Sequence, residues 1–149
     1  MPPIADLSWR YAADTVMGGV SAGQGRVEGE VLRLTGTVST RNNGGFIQVR
    51  TALPNGLRQN TIRFRVRGNG EQYFVHLRSI HSSRPWESYR AGFETGPDWA
   101  DVALALSDFE PSRDTMPASV AAVDVRSLGF VAIGRDHMAD LSVSHLCIA

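Results

Sequence analysis

The chain of 149 residues predicts an all-β fold, a single antiparallel β-sandwich of jelly-roll type, and three observations carry that expectation. In Ile62-Arg63-Phe64-Arg65-Val66-Arg67 apolar and charged side chains alternate without exception, the period of a strand with one face buried and one wet. Similar short runs recur, closed by turn residues such as Pro54-Asn55-Gly56 or Gly68-Asn69-Gly70. No interval shows the periodicity of an amphipathic helix.

Taken in order, residues 7–11 read as an opening strand anchored by Trp9. The next stretch, Asp14-Thr15-Val16-Met17-Gly18-Gly19-Val20-Ser21, sets two glycines between apolar residues, which requires positive φ or close approach to other backbone. Asn42-Asn43-Gly44-Gly45-Phe46 echoes it. Residues 23–29 are small and polar and read as a connection, and a strand pattern resumes at 31–35. In residues 47–53, Ile47 and Val49 face one side while Gln48 and Arg50 face the other. The simplest reading of residues 62–67 and 72–78 is a hairpin turning at Gly68-Asn69-Gly70, with Tyr73, Val75 and Leu77 joining Phe64 and Val66 in the core. Residues 88–94 direct Tyr89, Ala91 and Phe93 inward, and residues 99–106 form a further strand with Trp99 as a core anchor. After an irregular loop at 112–122, strands at 125–133 and 141–148 finish the sheet across the polar turn Gly134-Arg135-Asp136-His137.

Length and 42% hydrophobic content fit one domain over residues 1–149, large enough to bury roughly two thirds of its unfolded surface. A formal net charge of zero gives no long-range attraction to nucleic acid or anionic membrane, and nucleic acid is not an expected partner. All 15 basic residues are arginine, the side chain best suited to forked contacts with carboxylate or phosphate, although a codon bias would give the same count. Cys147 is the lone cysteine and can form no internal disulfide. The first residues, Met1-Pro2-Pro3-Ile4-Ala5-Asp6, lack a basic stretch followed by an apolar run, and no run is long enough to span a bilayer. A cytoplasmic location is expected.

Strand parity nominates a site. Opposite the core face lie Gln48, Arg50, Arg63, Arg65, Arg67, Phe74, His76, Arg78, Arg90 and Glu94, which form one basic patch if their strands are neighbours. Such a patch suits a carboxylate-bearing protein partner, or an anionic sugar or other small anion. The competing reading is a solvated sheet face whose arginines pair with Glu71, Glu87 and Glu94. At the rim stand the loop residues Met17, Gly18, Gly19, Ser21, Asn43, Gly44 and Gly45. Enzyme chemistry is not expected. Ser21 lacks the Gly-x-Ser-x-Gly setting of an exposed nucleophile and reads as a turn hydroxyl. His76, His81, His137 and His145 have no metal-site spacing, and Asp98 with Asp101, or Asp136 with Asp140, read as solvating loop acids ahead of calcium ligands. No cofactor or resident metal is expected, and oligomeric state is not legible.

The blocks quoted above, with Trp9, Arg50, Arg65-Val66-Arg67-Gly68-Asn69-Gly70, Tyr73, Tyr89, Phe93, Trp99 and Leu106-Ser107-Asp108-Phe109 before Pro111, are collinear over nearly the whole chain. In that combination the sequence resembles the complex I intermediate-associated protein 30 family. Ala13, Ala105 and Asp140-Leu141 depart from the family's usual residues. The resemblance implies a galactose-binding-like sandwich, shared with carbohydrate-binding modules, and a non-catalytic assembly-factor or chaperone role through binding protein partners.

Overall fold

A computed structural model describes residues 4–84 and 87–148. Its eleven strands are β1 (Trp9–Ala13), β2 (Ala22–Glu28), β3 (Val31–Val38), β4 (Phe46–Ala52), β5 (Thr61–Gly68), β6 (Gln72–Ser79), β7 (Tyr89–Glu94), β8 (Ala100–Ala105), β9 (Glu110–Pro111), β10 (Val125–Ile133) and β11 (His137–Cys147). They form two antiparallel sheets. The first has six strands in the order β1-β4-β10-β6-β7-β9, the second five in the order β2-β3-β11-β5-β8. Short 3-10 turns are the only helical elements among the described residues.

The core lies between the sheets, and strand parity fills it. Ile47 and Val49, Phe64 and Val66, and Tyr73, Val75 and Leu77 are all buried, as their alternation demands. Aromatic rings lock the layers together. Phe64 of the second sheet stands edge-on to Phe93 and Phe130 of the first, with ring centroids 5.1 and 5.2 Å apart. Trp9 packs on Phe130 at 6.1 Å and donates its indole N–H to Ile4 O at 3.1 Å.

Three expectations need correction. The segments around Gly68-Asn69-Gly70 are not a hairpin: β5 pairs with β11 and β8, while β6 pairs with β10 and β7, so the turn carries the chain from one sheet to the other. Residues 23–28 are not a connection, because they belong to the edge strand β2. Its lack of alternation has a steric cause: a Cβ on Gly25 would lie 2.8 Å from Val49 of the opposing sheet, so no side chain fits where the sheets close. Trp99 is not a core anchor. It is half-buried on the outside, under the Arg67 guanidinium at 5.2 Å.

Truncating Phe64 to alanine should therefore lower stability by ~3–5 kcal/mol in urea unfolding. Trp99→Ala should cost less than half of that, since it removes a surface stack and no part of the core.

Candidate functional site

The residue that organises the glycine loops is Asp14, at the end of β1. It is completely buried, although it is an acid. Ser21 N donates to Oδ1 at 3.0 Å. Oδ2 accepts from Ser21 Oγ at 2.5 Å, Gly45 N at 2.6 Å and Phe46 N at 3.2 Å. Burial alone would raise the carboxyl pKa, but these donors together outweigh it and hold the group below its ordinary value. Ser21 Oγ in turn accepts from Ser39 N at 2.8 Å, which ties the end of β3 into the same knot. The glycine pairs now have a physical reason. A Cβ on Gly19 would lie 2.5 Å from the Asp14 carboxyl carbon, and one on Gly44 would lie 2.5 Å from Oδ2.

Of the proposed rim residues, Gly19, Ser21 and Gly45 are buried, Gly44 is half-buried, and Met17, Gly18 and Asn43 are exposed. Ser21 is a turn hydroxyl serving a carboxylate.

The proposed patch divides between opposite sides of the sandwich. Gln48 and Arg50 of β4, Phe74, His76 and Arg78 of β6, and Arg90 and Glu94 of β7 share the outer face of the first sheet. Arg63, Arg65 and Arg67 of β5 lie on the outer face of the second. Parity was right and adjacency was wrong.

The two faces differ electrostatically. On the second sheet Arg65 pairs with Asp101 at 3.2 Å, Arg33 with Asp140 at 2.9 Å and Arg26 with Glu28 at 2.8 Å, while Arg67 covers Trp99. On the first sheet no carboxylate of the described residues lies within ion-pair distance of Arg50, Arg78 or Arg90. Register places Arg50 and His76 on either side of Gly129, then Arg90 opposite His76 and Glu110 opposite Arg90. A glycine at the centre of the row leaves a floor with no side chain.

Burial, and then the neighbouring Arg50 charge, lower the Arg78 pKa against an opposing effect of Glu87. Burial, and then Arg113, do the same to Arg90. Both stay cationic, as guanidinium groups do. Burial first and the Arg90 charge second push His76 down to about 3, so its ring is neutral. Arg78 donates to Ser82 O at 3.2 Å and Arg84 O at 2.9 Å, and its Nε is buried without a partner.

Arg10, Gln72, Gly129 and His137 extend this face or its edge and were absent from the sequence-derived set. Arg10 was within reach, since it alternates with Trp9 on the opening strand. The loop acids are engaged too: Asp136 accepts from Thr40 N at 2.7 Å, and Asp140 and Asp101 hold arginines. Among the described residues no three His, Cys, Asp or Glu side chains gather as a metal site.

The family model for complex I intermediate-associated protein 30 matches residues 3–143. The chain belongs to that family. No curated protein matches the sequence. Among solved structures, a family 11 carbohydrate-binding module from Clostridium thermocellum, in complex with a β-1,3-1,4-mixed-linked tetrasaccharide, superposes with a TM-score of 0.74 at 15% identity, covering 98% of this chain and 91% of that one. The corresponding module of the cellulosomal cellulase Lic26A-Cel5E of the same organism gives 0.72 at 15% identity, over 94% and 86%. An agarase matches through part of its length, 24% of that chain against 95% of this one, with a TM-score of 0.61 at 10% identity. These likenesses establish the sandwich fold.

Replacing Asp14 with alanine removes the shared acceptor of four donor groups, three of them in buried contacts, and stability should fall by at least ~3 kcal/mol in chemical unfolding. The pH dependence has two parts. Asp14 has a folded pKa below its ordinary 3.8, so its contribution is full above that value and is lost as pH falls through the lower folded one. His76 acts at higher pH: between 6.5 and about 3 the unfolded chain takes up a proton that the folded one refuses, so stability declines across that window on acidification. His76→Gln should flatten the decline between pH 6.5 and 4 in a series of urea midpoints, leaving the steeper loss below pH 4.

Proposed function

We propose that this chain is a non-catalytic binding module, assembly-factor-like, that recognises a protein partner through the outer face of its first sheet. One observation carries the reading: Arg50, Arg78 and Arg90 present cationic groups without carboxylate partners among the described residues, whereas Arg26, Arg33, Arg65 and Arg67 across the sandwich are engaged by Glu28, Asp140, Asp101 and Trp99. A face whose charges are already matched gains little from an acidic partner. One whose charges are unmatched gains both attraction and forked hydrogen bonds. Family membership supports the same reading, since the family's name denotes association with an assembly intermediate.

A second reading, a carbohydrate- or small-anion-binding module, is favoured by the cleft beside Phe74 and by the fold shared with a module solved holding a tetrasaccharide.

The first reading is tested by retention on the immobilised chain from extract of its source cells, with bound protein cross-linked and quantified. Arg50→Glu with Arg90→Glu should reduce capture by about tenfold or more, while Arg65→Glu leaves it unchanged. Equal loss in both variants would remove the first-sheet face from the reading.

A further inference from the structure

Where the β10–β11 turn crosses between sheets, the first-sheet face deepens into a cleft of about 490 Å³, within the size range of small-molecule sites. Its walls combine Phe74, Ile133, Gln72, His76, His137 and Arg90. Arg135 also borders it but is committed to Glu71. The polar groups that remain are mostly neutral. His137 Nδ1 lies 2.8 Å from Arg135 O, and a carbonyl only accepts, so Nδ1 carries a hydrogen and the ring's second nitrogen, Nε2, is the one left for another partner. That Nε2 is buried without a partner, and so is Nε2 of His76. Gly92 shapes the cleft. A Cβ there would sit 2.7 Å from the Gln72 amide nitrogen and 3.1 Å from the Phe74 ring, so the glycine lets both side chains lie across β7. Phe74 stays half-buried, with an apolar surface available to a ligand.

An apolar ring, an amide, two imidazoles and one cation with no carboxylate in ion-pair distance define the complementary ligand. It has a flat apolar face, several hydroxyls and a single anionic substituent. A phosphate-rich ligand would leave the neutral groups unused, and an acidic peptide would leave the aromatic surface without a planar partner. We propose that this cleft binds a hexuronate unit of an acidic saccharide, its ring over Phe74, hydroxyls on Gln72 and His137, and its carboxylate on Arg90. The inference rests on the second reading above and narrows it to a carboxylated sugar.

The whole chain, titrated by NMR with galacturonate trisaccharide, its neutral methyl ester and triglutamate, tests this. Saturable shifts are expected with the trisaccharide, at least about fivefold tighter than with the ester, and none with triglutamate. Phe74→Leu keeps apolar bulk without the aromatic face and should weaken the trisaccharide about tenfold; Arg90→Gln should abolish the preference for acid over ester; Arg65→Gln should change neither. Binding of acid and ester alike to the native chain would overturn the uronate assignment and leave the sugar reading standing. Silence toward both sugars at ~10 mM, a concentration that reveals even millimolar dissociation constants, would overturn both.

Discussion

A buried carboxylate governs how this sandwich closes. Taking an ion out of water costs several kcal/mol even after relaxation, and Asp14 tolerates it because backbone and hydroxyl donors surround both oxygens. The donors come from residues 7, 31 and 32 positions away in sequence, so the interaction exists only once the chain has folded. It joins β1 and β4 of the first sheet to the approach to β2 and, through Ser39, the end of β3 in the second. Close approach of backbone to carboxylate then dictates glycine at positions 19 and 44. With its polar groups consumed inward, the loop turns Val16 and Met17 to solvent at 78% and 63% exposure.

That closure sets what each sheet can offer. With edges β1 and β2 drawn together, the broad surfaces left are the two outer faces, and the chain divides its arginines between them. The second-sheet face is a set of local charge pairs, which contribute little to stability and little to attraction at a distance. On the first-sheet face, around a glycine floor, no carboxylate of the described residues comes within ion-pair distance of Arg50, Arg78 or Arg90. Like charges side by side gain nothing for folding.

Strand parity was legible because side-chain direction in an extended chain depends only on odd or even position: Phe64, Tyr73 and Val75 could not be misplaced. Sheet membership was not. Gly68-Asn69-Gly70 has turn chemistry that serves a hairpin or a crossing between sheets equally well, and the choice is made by pairing with β11, more than 70 residues downstream. The same limit explains the divided patch. β2 escaped detection because steric closeness removed the side chains whose alternation would reveal it, and Trp99 was misassigned because Arg67 substitutes for core as its cover. The glycine loops were visible as a conformational demand, but not the anion at their centre, since nothing local marks which acid is buried.

His76 shows how the first-sheet face keeps a constant charge. An imidazole that charged near neutral pH would add a cation beside Arg90 and make the charge of the face vary with small changes in acidity. Burial and the adjacent guanidinium keep it neutral far below that range, so the face holds a constant charge pattern: arginines at β4, β6 and β7 around neutral hydrogen-bonding groups. Val131, flanked in register by Gln48 and Phe74, is only 1% exposed although it points outward, so these side chains already lie packed over the sheet. A packed layer loses less side-chain entropy on binding than free arginines would. The surface is thus ordered by the same β pairing that builds the core beneath it, and its character follows from which outward positions hold glycine, aromatic or guanidinium.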